Sequence, residues 1–177
     1  MSYVKSNYKY KFKERIKAMS DIQQELEKYK VLDSEGNPMF DSTQMCEIQQ
    51  GLKEGVDISI FARPEFGGEQ MHEIRIGLKE GIDASIYAKP EYGYNQMYEI
   101  HQGLLNGVDV SIYAKPAYNW LQMYQIRKGL TDGLDVSSYA NPVYRWEQMN
   151  EIRERLEEKL KTEKGTRIPK EDEEMSL

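Results

Sequence analysis

Apolar residues in the stretch from Gln44 to Lys53 fall at Met45, Ile48 and Leu52, spaced i, i+3 and i+7, a narrow stripe of helical period. The same stripe returns every 26 residues, in step with Pro38, Pro64, Pro90, Pro116 and Pro142. The successive units are MFDSTQMCEIQQGLKEGVDISIFARP, EFGGEQMHEIRIGLKEGIDASIYAKP, EYGYNQMYEIHQGLLNGVDVSIYAKP and AYNWLQMYQIRKGLTDGLDVSSYANP, then a partial VYRWEQMNEIRERLEEKL. A fixed period of this length marks units that bury their apolar faces only by stacking, so the pattern predicts a short α-solenoid of about five repeats.

Start and stop signals divide each unit. Asp41, Gly67, Gly93 and Asn119 are residues that suit a helix N-cap, and Arg145 is the exception. Gly55, Gly81, Gly107 and Gly133 follow the stripe, each with an apolar residue after it, the signature of a Schellman stop. Asp57, Asp83, Asp109 and Asp135 then open a second, short helix through a cap and a hydrophobic staple to Phe61, Tyr87, Tyr113 or Tyr139, and the proline ends it. The alternative makes VDISIFA a strand, giving a strand-plus-helix solenoid. Its alternation is broken by Ala84 and Ser138. Gly51, Gly77, Gly103 and Gly129 sit inside the first helix, where glycine costs about 1 kcal/mol relative to alanine. Close approach of a neighbouring backbone or of the repeated aromatic ring is the expected compensation.

The ends differ from the middle. Phe12, Ile16, Met19, Ile22, Leu26 and Tyr29 keep helical spacing, so a leading helix is expected to cover the first repeat. In the last unit Arg155 and Lys159 replace both glycines, which lets the final helix run on as a charged cap. The division is therefore 1–37, a basic Tyr-rich arm and capping helix; 38–160, the repeats; and 161–177, a charged tail with the composition of a disordered segment.

Composition narrows the functional classes. A single cysteine provides no disulfide framework, no apolar run is long enough to span a bilayer, and the N-terminus lacks a signal-peptide core, so a cytoplasmic protein is expected. The net charge of −6 is uneven: residues 1–37 carry eight Lys/Arg against six Asp/Glu, and residues 38–154 carry ten against seventeen. Cys46 occupies a position held elsewhere by His72, Tyr98, Tyr124 and Asn150, which argues against shared nucleophilic catalysis. His72 and His101 lie at different places in their units, so they lack zinc-ligand spacing. The repeated aspartates are accounted for by capping, and Glu47, Glu73, Glu99 and Glu151 by the helix dipole. No enzyme, cofactor or metal is expected.

Binding residues are sought where the repeat varies. The position after the cap changes from Ser42 and Gly68 to Tyr94, Trp120 and Trp146, and one turn later stand Tyr98 and Tyr124. Tyr94, Tyr98, Trp120, Tyr124 and Trp146 therefore form a candidate aromatic ridge, read either as seam packing or as a partner-binding hot spot. A second candidate is the arm, where Lys9, Lys11, Lys13 and Arg15 interleave with aromatic residues, a composition suited to single-stranded nucleic acid.

The unit QMYQIRKGLTDGLDVSSYANPVY resembles a tandem repeat of poorly characterised proteins from Gram-positive gut bacteria, their mobile elements and phages; unit one departs from it at Gln49. The resemblance covers residues 38–160, brings no catalytic residues and implies a mobile-element setting. Expected is a non-enzymatic binder of a protein or ribonucleoprotein complex, such as a phage or mobile-element inhibitor of a host defence complex, in an anti-CRISPR-like or other anti-defence role. The alternatives are a protein–protein adaptor or scaffold, and a nucleic-acid-binding regulator using the arm. The pattern leaves the oligomeric state open.

Overall fold

The computed structural model describes residues 2–165, with the side chains of residues 2–10, 12, 164 and 165 outside that description. The described chain is all-helical: α1 (Ser2–Glu27), α2 (Ser42–Glu54), α3 (Gly68–Lys79), α4 (Tyr94–Leu105), α5 (Trp120–Thr131) and α6 (Trp146–Gly165). Single turns of 3-10 helix stand at Ile58–Ile60, Ala84–Ile86, Val110–Ile112 and Val136–Ser138. The strand-plus-helix alternative is set aside, since the β pairing among the described residues is one isolated bridge between Leu32 and Pro38. The chain divides into two compact units, residues 1–97 and 98–177, with the boundary inside α4. Helices stack on their sequence neighbours in solenoid fashion, α1 on α2 on α3 in the first unit and α5 on α6 in the second.

Each repeat is closed by one glutamine. In α2, Asp41 accepts from the Thr43 and Gln44 backbone N–H groups, and Gln44 Oε1 accepts from the Asp41 N–H at 2.7 Å, a full capping box. Gly67 has no side chain to offer, yet Gln70 Oε1 accepts from its N–H at 2.7 Å; Gln148 does the same for Arg145 at 2.9 Å. The glutamine, not the residue before the helix, is thus the constant element of the cap. Its amide nitrogen reaches forward. Gln44 Nε2 donates to Pro64 O at 3.2 Å and Phe66 O at 2.6 Å, and Gln122 Nε2 to Pro142 O at 3.1 Å and Tyr144 O at 2.6 Å. One side chain therefore satisfies a helix start and the proline turn of the next repeat.

The stop signals act as the glycines predict. Gly55 has φ 71° and Gly133 φ 75°, and the residue after each donates back to the interior glycine, Val56 to Gly51 O at 3.2 Å and Leu134 to Gly129 O at 2.9 Å. The second element is shorter than the expected helix: Asp57 caps a single 3-10 turn by accepting from Ser59 N–H, and Phe61 already ends it, ahead of Pro64. The aromatic residue lies over the interior glycine. A Cβ on Gly103 would sit 1.8 Å from Tyr113 Oη, and one on Gly51 2.7 Å from Phe61 Cζ. The Tyr113 hydroxyl donates to Glu99 O at 3.0 Å, and Tyr139 to Gln125 O at 3.3 Å, so the bare glycine lets a phenol reach a helix carbonyl. Burial pushes the Tyr87, Tyr113 and Tyr139 hydroxyls well above their ordinary pKa, which keeps them donors.

The core includes Met71, Ile74, Phe61, Phe66, Tyr87 and Tyr92 in the first unit, and Met123, Ile126, Tyr113 and Tyr139 in the second. Leu52, expected on the inner stripe, is only half-buried, because the aromatic ring and not the leucine fills the space beside the glycine. The leading helix also differs from expectation. Leu26 is buried, but Ile16 and Met19 are exposed, so α1 does not lay its stripe along the first repeat. Its docking is confined to the last turn and the loop beyond, where the Tyr29 and Phe40 rings meet edge to face at 5.9 Å. At the other end α6 runs to Gly165, past the expected boundary at 160, because Arg155 and Lys159 provide no stop; the rest of the tail lies outside the described residues.

Gly103→Ala is expected to destabilise the protein by about 1–3 kcal/mol, because the new methyl overlaps the Tyr113 hydroxyl by more than helix propensity returns. Combining it with Tyr113→Phe should cost less than the sum of the single changes, since without Oη the nearest ring atom, Cζ, stands 3.1 Å from the built Cβ. Thermal melts of the four proteins in the cycle measure this; strict additivity would remove the ring-over-glycine explanation.

Candidate partner-binding surface

The N-terminal turn of α5 places the largest exposed rings. Asn119 caps it by accepting from Gln122 N–H at 3.0 Å, which leaves Trp120 at the first helical position and Tyr124 one turn later on the same face. Trp120 is 42% exposed, and Tyr98 on α4 is also 42% exposed. Tyr124 and Trp146 are half-buried, as is Tyr94 in the first unit. Of the five predicted ridge residues, the second unit holds four on three successive helices. Two face solvent and two are partly sunk, so the ridge combines seam packing with free surface.

In the first unit the ridge position of α3 has no room for a side chain. A Cβ on Gly68 would lie 2.6 Å from Thr43 Oγ1 and 2.8 Å from Thr43 Cβ, so α3 starts in direct contact with the preceding helix. The corresponding positions of α4, α5 and α6 carry Tyr94, Trp120 and Trp146.

A buried polar ladder supports this surface, and the sequence reading missed it. Arg75 Nε donates to Glu47 Oε2 at 2.7 Å, Arg127 Nε to Glu99 Oε2 at 2.7 Å, and Arg153 Nε to Gln125 Oε1 at 2.8 Å, each across 28 residues. Arg75 also binds Glu54, and Arg153 binds Glu157. The Arg127 guanidinium carbon stands 5.4 Å from the Tyr124 ring centre. Tyr124 is thereby held by an arginine that is itself anchored on the preceding helix. Glu47 and Glu99 are thus more than dipole partners: each accepts from the arginine of the next repeat. Only the recurrence of Arg at 75, 127 and 153 signals this, and Gln49 and His101 interrupt it.

Burial raises the Glu99 carboxyl pKa above its ordinary value, with the Arg127 hydrogen bond and charge pulling the other way. Glu54 shows the opposite balance. Hydrogen bonds from Lys79 first, then Gln50 and Arg75, lower it from 4.5 to about 2.

Lys11, Lys13 and Arg15 of the basic arm are exposed on α1, and the Lys9 side chain lies outside the described residues. Cys46 is exposed. His72 Nδ1 stands 3.3 Å from Glu47 Oε1, whereas His101 is buried. No group of three or more His, Cys, Asp or Glu suited to a metal ion occurs among the described residues, and no described helix is long and apolar enough to cross a membrane. No protein-family model, curated protein or solved structure matches the chain.

Arg127→Ala should cost about 3–5 kcal/mol, because it strands the buried Glu99 carboxylate. Glu99→Gln should stay within about 1 kcal/mol of the parent, since Gln125 already fills that role for Arg153. Chemical denaturation of both variants distinguishes a buried pair from a surface one. For pH, the depressed Glu54 value means that its ionised form is bound more tightly in the folded state. That stabilisation is complete above its unfolded value near 4.5 and is lost as pH falls towards about 2. Glu54→Gln should therefore flatten the acid limb of a stability–pH curve between those values; an unchanged limb contradicts the assignment.

Proposed function

We propose that this chain is a non-enzymatic repeat protein that binds a protein or ribonucleoprotein complex through the aromatic surface of its second unit. The observation that carries the reading is the exposure of Trp120 and Tyr98 on helices whose repeated residues Met123, Ile126 and Ile100 are fully buried. Stacking consumes the repeated positions and leaves the variable ones free, and Trp and Tyr are the residues that dominate binding hot spots. Inhibition of a host defence complex in a phage or mobile-element setting is the most specific form of this proposal. It is supported by the resemblance of the repeat and by the acidic charge of the array, which suits occlusion of a nucleic-acid-binding surface. A scaffold role needs the same surface without antagonism.

The exposure of Lys11, Lys13 and Arg15 favours a second reading, nucleic-acid binding through α1. It predicts an electrophoretic shift that weakens steeply with salt and disappears on deleting residues 1–17.

Trp120→Ala tests the first reading. The variant should melt cooperatively within a few degrees of the parent, because the ring is not core, and should lose by at least tenfold the partner that the parent retains in affinity capture from the host. Retained capture, or a melt that loses cooperativity, would mean that the ring packs a seam and binds nothing.

A further inference from the structure

Only the last turns of α1 rest on the first unit. Every described side chain from Lys11 to Asp21 is exposed, and Ile22 is half-buried. Ile16 is 53% exposed and Met19 71%. Most helical stability in proteins comes from packing an apolar face, and the described side chains of this stretch are left exposed by the described residues of their own chain.

The pattern on α1 is self-complementary. Phe12, Ile16, Met19, Ile22 and Leu26 follow one another in steps of four, three, three and four residues. At about 100° per residue they share an arc of about 120°. Reversing the helix about Met19 superposes Phe12 on Leu26, Ile16 on Ile22 and Met19 on itself. Three charges change sign under the same operation, Lys11, Lys13 and Lys17 falling on Glu27, Glu25 and Asp21, while Glu14 and Arg15 fall on the neutral Gln24 and Gln23; residues 18–27 contain no Lys or Arg.

We propose that α1 pairs antiparallel with α1 of a second copy, about a two-fold axis at Met19. In this register Ile16 packs against Ile22, Glu25 falls between Lys11 and Arg15, and Lys13 stands beside Glu27, with every contact made twice by symmetry. A parallel pair would set lysine against lysine. In the single chain Glu25 and Glu27 hold Lys28 and Lys30 at 2.6 Å, exposed i,i+3 pairs of small worth that do not compete strongly. A groove of about 500 Å³, lined by Leu26, Tyr29, Val31, Leu32, Phe40 and Met45 among others, opens at the docked end of the stripe. Met45 is half-buried there, while its repeat equivalents Met71 and Met97 are fully buried. The antiparallel register brings the turn of the second copy's α1 that contains residue 12 level with Leu26, at this groove.

Sedimentation equilibrium on the full chain tests the pairing. A short helix pair implies a dissociation constant in the micromolar range, so a scan over roughly 10–200 µM should pass from the 20.7 kDa monomer to a dimer of twice that mass. Met19→Glu should weaken the dimer at least tenfold, because two carboxylates meet on the axis, and should leave circular dichroism unchanged, because Met19 is exposed in the monomer. Lys13→Glu and Glu27→Lys should each weaken it, and the two together in one chain should restore it. Met19→Cys in a Cys46→Ser background should oxidise to a covalent dimer. A parent that stays monomeric, a dimer indifferent to Met19→Glu, or a monomer that engages nucleic acid through the same helix would overturn the proposal.

Discussion

The repeat depends on the primary amide of a single glutamine. A helix start leaves backbone N–H groups without partners, and a proline turn leaves carbonyls without them. Gln44, Gln70 and Gln122 meet both needs at once, with Oε1 on their own cap and Nε2 on the next turn. A carboxylate in the same place could accept but not donate. Methionine could do neither. Because both ends of the amide are bound to backbone, the bond is indifferent to the side chains of the cap and the turn. That is how Asp41, Gly67 and Arg145 can stand at equivalent positions without loss of the geometry.

The other recurrent contacts follow from this register. Once the next turn is fixed to the helix start, its aromatic residue at Phe66 or Tyr92 is buried and the following helix is brought alongside. The arginine of that helix then meets the glutamate of the one before, and the glycine four residues beyond the glutamate admits the phenol of the 3-10 turn. Each contact reaches no farther than the neighbouring repeat, so stability is distributed as a chain of local interfaces.

Sequence reading captured the elements whose signals are local. The Schellman glycines, the Asp57 type of cap and the aromatic approach to Gly51 or Gly103 all involve residues within one unit, and their conformational demands are specific. Two kinds of feature escaped. The glutamine recurs every 26 residues, at Gln44, Gln70, Gln96, Gln122 and Gln148, but recurrence alone does not show that its amide spans two repeats, and the glutamate was explained well enough by the dipole that its arginine, 28 residues away and out of step with the 26-residue period, went unsought. The stripe on α1 was read correctly as a stripe but placed against the first repeat. Spacing reveals that a helix face is apolar and is silent about what covers it. The candidate ridge was legible as to residue type only; the division into exposed Tyr98 and Trp120 and half-buried Tyr124 and Trp146 arises from packing between helices.

Tyr124 joins the two tiers of the molecule. The scaffold positions are uniform because each serves two repeats, and the surface positions differ because most serve none. Tyr124 is variable in sequence, yet its ring lies beside Arg127, which is bound to the buried Glu99. A ring held in this way loses less freedom on binding than one that projects without support, and preorganisation of an aromatic anchor lowers the entropic cost of association. The ladder that stacks the repeats thus also stiffens part of the surface they present, since the arginine that binds the buried Glu99 also braces the Tyr124 ring.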